Sequence, residues 1–145
     1  MEWKYESTLD IEGQNYKVEI LDTGGEEEFK NMMDFWISDA EGFLLVFAIN
    51  DKESFSYING MHERILKGKY GVKGPILLVG NKQDLVNERQ VIYKEALAQA
   101  DSWGIQYMET SAKTNFNCQE ALEKLVLEIV KKNSNDSGCP CCNIM

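Results

Sequence analysis

The sequence predicts an open α/β sheet, mostly parallel, with helices on both faces and one antiparallel strand pair. Two observations carry this expectation. Short continuous apolar runs, Phe43 to Ile49 and Ile76 to Val79, suit strands buried on both faces, as in a parallel sheet. Amphipathic helical patterns separate those runs, and strands alternating with helices are characteristic of that class.

Each element follows from its residues. Lys4 to Ile11 mixes Tyr, Thr, Leu and Ile with polar partners, Glu12, Gly13 and Gln14 supply a turn, and Tyr16 to Leu21 alternates apolar with charged side chains. This reads as a hairpin. Phe29, Met32, Met33 and Trp36 fit one helix face. Phe55, Ile58, Met61, Ile65 and Leu66 fit another, with Asp51 as its N-cap. His62, beside Glu63 and Arg64, is expected on the solvated side of that helix. A third helix spans Val91 to Trp103, closed by Gly104 at its C-terminal end, and Ile105 to Met108 is a weaker strand. The last helix begins after Asn117, which can cap it; Glu120 completes a capping box, and Leu122, Leu125, Val126 and Ile129 form its buried stripe. Beyond Lys132 the composition turns to Asn, Ser, Asp and Gly, so residues 1–132 are expected to form one domain and residues 133–145 a flexible tail.

The bulk properties exclude several classes. A formal net charge of -9 gives an acidic surface that repels phosphate backbones and argues against nucleic acid as a partner. No apolar run approaches the roughly 20 residues of a membrane helix. Met1 is followed by Glu2, Trp3, Lys4, Tyr5 and Glu6 rather than by a signal peptide, so a cytosolic protein is expected. Cys139, Cys141 and Cys142 crowd into the end of the chain, with Cys118 alone in the body, which is not a disulfide framework.

In open α/β sheets, ligands sit at the carboxyl ends of the strands, and three loops fall there. The first is Asp22-Thr23-Gly24-Gly25-Glu26-Glu27-Glu28-Phe29. An Asp at a strand tip suits Mg²⁺, and the glycines let backbone N–H groups approach a phosphate. The competing reading is an acidic turn at a helix N-terminus. The second loop is Asn81-Lys82-Gln83-Asp84. A carboxylate there can accept two hydrogen bonds from the N1–H and N2–H₂ edge of guanine, a donor pair that adenine lacks. The Lys stem can lie over the ring. The competing reading is a polar turn. The third loop is Glu109-Thr110-Ser111-Ala112-Lys113, whose Ala112 N–H can donate to guanine O6. Each loop alone is a weak signal; three in this order after predicted strands are a strong one.

Leu21 to Phe29, Gly42 to Asn50, Val79 to Leu85 and Glu109 to Thr114 together resemble the Ras branch of small GTPases, and the resemblance runs from about Tyr5 to the last residue. No extra helix separates Asp84 from Glu109, unlike the Rho branch, and the single-prenyl ending differs from the usual Rab tail. The resemblance implies a P-loop NTPase-like G domain binding GTP or GDP with Mg²⁺. It places Asp22 near Mg²⁺ through water and the Gly25 N–H at the γ-phosphate. Asn81, Lys82 and Asp84 would read guanine, and Ser111, Ala112 and Lys113 would close the base pocket. Residues Gly25 to Trp36 would form the second switch. An exchange factor, a GTPase-activating protein and effectors would be its partners, and the chain would be a monomer.

Two departures matter. Glu26 stands where relatives usually carry the Gln that orients the attacking water. It lacks an amide donor and sets negative charge beside an anionic transition state, so slow hydrolysis is expected, to be tested as a faster single-turnover rate in Glu26→Gln. Gly24 replaces a usual Ala. The larger departure is that no G-x-x-x-x-G-K-[ST] occurs in the sequence, so the loop that cradles phosphates is not among these residues. In the family that loop follows a central strand lying between the strands at Tyr16 to Leu21 and Phe43 to Ile49, and a first helix follows it. The fold is therefore expected without that strand and helix, leaving backbone edges without partners. Three explanations stay open: a fragment of a longer chain, a short protein that binds partners without switching, or a chain completed by another polypeptide.

The ending Cys142-Asn143-Ile144-Met145 fits a prenylation box, and the final Met favours farnesyl. One prenyl chain anchors marginally, so Cys139 and Cys141 are candidate palmitoyl sites. The competing reading, a metal-binding tail, suffers from thiols too crowded for tetrahedral zinc. The sequence thus predicts a lipid-anchored GTPase switch at the cytoplasmic face of the plasma membrane or an endomembrane. The alternative is a non-catalytic pseudo-GTPase or fragment acting as an interaction module.

Overall fold

The computed structural model describes residues 3–23, 30–68, 74–134 and 141–144. The chain opens on the expected hairpin, β1 (Trp3–Ile11) and β2 (Gln14–Asp22), in antiparallel register from Trp3 opposite Asp22 to Ile11 opposite Gln14. Its two-residue turn has both central residues at positive φ, Glu12 at 53° and Gly13 at 82°. That conformation matches the twist of hairpin strands, and glycine adopts it without strain. Helix α1 (Lys30–Asp39) follows, then β3 (Phe43–Ala48), α2 (Lys52–Leu66), β4 (Ile76–Asn81), a 3₁₀ turn at Val86–Glu88, α3 (Tyr93–Trp103), β5 (Gln106–Glu109) and α4 (Cys118–Ser134).

Strands β3, β4 and β5 form a parallel sheet in that order. Alternate residues of β3 and β4 feed two separate cores. Phe43, Leu45, Phe47, Ile76 and Leu78 pack toward Trp36, Phe55 and Ile58 of α1 and α2. Leu77 and Val79 pack toward Leu125, Val126 and Ile129 of α4, and this second core also holds Val18. Two-sided burial is why β4 reads as an unbroken apolar run, whereas the second face of β3 is only partly covered, with Val46 51% exposed. Asp51 caps α2, its Oδ1 accepting from the Glu53 and Ser54 N–H groups at 3.0 and 3.2 Å. Gly104, at φ 69°, closes α3 in the left-handed conformation.

The structure departs from the sequence reading in several places, the first being Leu66, expected on the buried face of α2 and 48% exposed. Met32 is exposed, and Ile37 takes its place on the buried stripe of α1. His62 is not solvated: it is 5% exposed and stacks on Trp103, ring centroids 3.9 Å apart. Its position follows from phase, since residues 58, 62 and 65 share one helix face with Ile58 and Ile65 buried beside it. Burial lowers the His62 pKa, opposed in smaller part by the charge of Glu63. Finally, within the span expected to be a flexible tail, α4 runs on to Ser134 and Cys141–Ile144 form a strand, β6. It pairs in parallel with β2, and an isolated parallel bridge joins Ile144 to Gly42, just ahead of β3. β6 therefore lies between β2 and β3, where the family resemblance would put a central strand.

Candidate functional site

Because β2, β3, β4 and β5 all run in one direction, their carboxyl ends lie at the same end of the sheet. Asp22, Asn81 and Glu109 terminate three of these strands. The loops after β4 and β5 then lean together and bond to each other.

Asn81 is the hub. Its Oδ1 accepts from the Thr110 hydroxyl and from the Ala112 N–H, each at 3.2 Å. The Gln83 N–H donates to the Thr110 carbonyl at 3.0 Å, and the Thr110 N–H to the Gly80 carbonyl at 2.8 Å. Ser111, wholly buried, donates its hydroxyl to Asp84 Oδ1 at 2.6 Å and accepts the Thr114 N–H at 3.2 Å. Side chains of one loop thus fix the carboxylate and amide of the other. Lys82 adopts φ 63°, a left-handed conformation that non-glycine residues avoid. Such strain persists where the surrounding structure enforces it, typically at functional sites. Lys82, Ala112 and Lys113 remain exposed.

Beneath the rim lies a network that the sequence reading missed. Arg89 donates to both Glu109 carboxylate oxygens, at 2.8 and 2.7 Å, and Tyr107 donates its hydroxyl to Oε2 at 2.6 Å. Burial works against the Glu109 charge, but the hydrogen bonds from Arg89 and Tyr107 overcome it and hold the carboxyl below its ordinary range. Burial, and then the bond to Glu109, pushes the Tyr107 pKa up. Gly80 is required here, since a Cβ would collide with the Tyr107 hydroxyl. The Glu109 carbonyl accepts from Asn117 Nδ2 at 3.2 Å, and Cys118 Sγ donates to the Ser111 carbonyl at 3.4 Å, tying the third loop to the start of α4.

The structure therefore brings Asn81, Asp84, Ser111 and Ala112 together, with Lys82 and Lys113 at their edge. Asp22 stands exposed at the tip of β2 on the same end. Gly25, Glu26 and Cys139 lie outside the described residues, as does the rest of residues 24–29. Among the described residues, no group of three or more His, Cys, Asp or Glu side chains is placed to hold a metal ion. No helix among them is long and apolar enough to cross a membrane. Thr110, Arg89 and Tyr107 escaped the sequence reading; only Thr110, inside a quoted loop, carried a local signal.

Chemically, the rim offers a carboxylate with one oxygen held and one to spare, a long cationic stem, and backbone N–H groups at close quarters. That set suits a planar, polar ring with adjacent donors. The Ala112 N–H, expected to donate outward, is directed to Asn81 at a long 3.2 Å, a bond that an incoming carbonyl can compete with.

Comparison with known proteins gives a consistent result. The Ras family model matches residues 2–131. The chain is 40% identical over 134 residues to Ras-related protein O-RAL of Diplobatis ommata, covering 92% of this chain and 65% of that protein. It is 39% identical over 154 aligned positions to Ras-related protein R-Ras of Mus musculus, covering 97% and 71%. It is 40% identical over 134 residues to Ras-related protein Ral-B of Rattus norvegicus, covering 92% and 65%. The chain thus spans about two thirds of the length of these relatives, slightly less for O-RAL and Ral-B.

Proposed function

The chain belongs to the Ras family, and on that premise we propose that its rim reads guanine in a small GTPase signalling switch. The observation that supports this most is the cross-bonding of two loops, Ser111 to Asp84 and Ala112 to Asn81. Asp84 accepts from guanine N1–H and N2–H₂, while Ser111 fixes its orientation. Lys82 lays its stem over the ring, and Ala112 shares or transfers its N–H to guanine O6. Asn81 holds the two loops at the spacing of the base, and Lys113 closes the outer edge.

The residues fit the base better than the phosphates. None of the 145 residues supplies a G-x-x-x-x-G-K-[ST] cradle. Asp22 offers a single carboxylate, and Mg²⁺ takes one or two carboxylates together with phosphate oxygens, so Asp22 serves a Mg²⁺ ion only where phosphates are already held. The proposed activity of this chain alone is weak recognition of guanine nucleotides. GTP hydrolysis to GDP is proposed for a polypeptide in which the phosphates are cradled, with Gly25 at the γ-phosphate and Glu26 at the water. An exchange factor, a GTPase-activating protein and effectors are its proposed partners. Cys142 is the proposed prenyl acceptor, with Cys139 and Cys141 as palmitoyl sites, holding the protein at the cytoplasmic face of a membrane.

A second reading, a non-catalytic interaction module, is favoured by one observation. Met32 and Phe35 stand exposed on α1, at 46% and 66%, an apolar pair left largely on the surface. Titration with fluorescent GDP and Mg²⁺, alongside guanosine, separates the two readings. Weak binding of both, with little difference between them, is expected of a base-only site. Nanomolar to low-micromolar GDP binding contradicts the loss of phosphate affinity, and no binding of either leaves the interaction module standing.

A further inference from the structure

The described strands form two three-stranded sheets, β1-β2-β6 and β3-β4-β5, and the chain's own end stands at the seam between them. β6 pairs with β2 over four positions, from Lys17 opposite Cys141 to Ile20 opposite Ile144. On its other side, among the described residues, it reaches Gly42 through one bridge. Ile144 is 2% exposed and belongs to the core that holds Val18, Leu125 and Ile129. Space there is tight: a Cβ at Gly42 would stand 2.7 Å from Ile129 Cδ1. Beyond Ile144 the groove continues as a cavity of about 570 Å³, lined by Ile20, Leu21, Leu44, Leu45 and Met61.

We propose that this groove is a strand acceptor whose occupant is the C-terminal strand Cys141–Ile144, and that its occupancy withholds Cys142 from lipid transfer. The second half of the statement rests on the reading of Cys142 as the prenyl acceptor. An exposed strand edge offers a row of backbone donors and acceptors that an extended segment can satisfy, and apolar anchors at alternate positions set its register. Ile144 is such an anchor, and it is also the third residue of the proposed prenylation box. The box is thereby engaged twice: in the groove its backbone is paired from Cys142 to Ile144 and Ile144 is buried, whereas a transferase must take it free. In that transfer the Cys142 sulfur bonds to the allylic carbon of farnesyl diphosphate, diphosphate leaves, and the thiol proton passes to solvent. The strand has to detach first, a local opening rather than global unfolding. Among the described residues the occupant is short, four against nine in β2. Its hold is therefore partial, and the tail exchanges between docked and free.

The test treats the full 145-residue chain, its Ile144→Asp and Asn143→Pro variants, and a synthetic peptide of residues 135–145 with iodoacetamide. Site-resolved mass spectrometry gives the Cys142 rate, with Cys118 as the internal reference for the folded body. Cys142 is expected to react about tenfold more slowly in the chain than in the peptide, because only the open state reacts. Ile144→Asp removes the anchor, and Asn143→Pro sets proline inside the paired strand while keeping the anchor. Both variants are expected to restore the peptide's rate with Cys118 unchanged. Equal Cys142 rates in chain and peptide overturn the proposal, and so does a slow rate that neither variant relieves. Farnesyl transfer from farnesyl diphosphate by protein farnesyltransferase isolates the lipid reading. A peptide that accepts no farnesyl defeats Cys142 as acceptor and leaves the alkylation rates to judge the groove. A chain farnesylated as fast as the peptide overturns the withholding.

Discussion

The two inner regions of the sheet are built on different terms. From β3 to β5, strands pair in unbroken parallel register, six positions between β3 and β4 and four between β4 and β5. At their carboxyl ends, loops distant in sequence bond directly through Asn81, Asp84, Thr110 and Ser111. Between β2 and β3 the connection among the described residues is four paired positions and one bridge, with Ile144 buried. The first region is the more continuous: its strands pair along their length, and of their apolar residues Val46 alone among the described residues is more than half exposed. The second depends on a segment that must be recruited from the far end of the chain. The rim proposed to read the base is therefore expected to survive changes that open the seam.

Substitutions of equally buried residues break or sharpen that contrast most directly. Leu78→Ala, in the more continuous region, is expected to cost about 3–4 kcal/mol in urea unfolding. Ile144→Ala should cost only about 1 kcal/mol, because a detaching strand recovers the entropy of the residues it had ordered. Equal losses would mean that the seam is as integral as the parallel sheet. Arg89→Ala comes next: it strands the Glu109 carboxylate, whose side chain is 11% exposed, and should cost about 3 kcal/mol while disordering the loop at Ala112. Asp51→Ala removes the cap of α2, which packs on β3 and belongs to neither seam; a loss of about 1 kcal/mol is expected, with the Cys142 and nucleoside readouts unchanged.

The smallest effect is a pH dependence. Burial holds His62 below its ordinary 6.5, so the unfolded chain takes up a proton before the folded chain does. Stability is then full above that value and falls as pH drops from it toward the folded value. A melting temperature that declines over this window, and a flatter profile in His62→Gln, are expected. Glu109 acts in a lower window: its carboxyl is held below 4.5, so its contribution is present above that value and is lost on further acidification.

The legible part of the fold was local. Glu12-Gly13 marked the hairpin, Asp51 and Gly104 punctuated helices, and two-sided apolar runs located β3 and β4, because each signal depends on a residue and its near neighbours. Three loops at strand ends were also legible, and the structure joins two of them. The Arg89–Tyr107–Glu109 network was not, since its members are separated by up to twenty positions and a charged residue on a polar loop looks solvated. His62 was misread because its flanking Glu63 and Arg64 outweighed the i, i+3, i+4 phase it shares with Ile58 and Ile65. β6 left no strand signal of its own, because Cys-Cys-Asn-Ile carries one strong apolar side chain and finds its place only through β2 and α4.

The central claim is that the loops at Asn81 to Asp84 and Thr110 to Lys113 form one guanine-reading rim. It is tested most directly by titrating the ¹⁵N-labelled chain with guanosine and with adenosine while following backbone amides. Guanosine is expected to shift Ala112, Lys113 and Asp84 selectively, and Asp84→Asn to transfer that response to xanthosine, whose C2 carbonyl meets the new amide donor. Indistinguishable responses to guanosine and adenosine, or shifts gathered away from both loops, would contradict it.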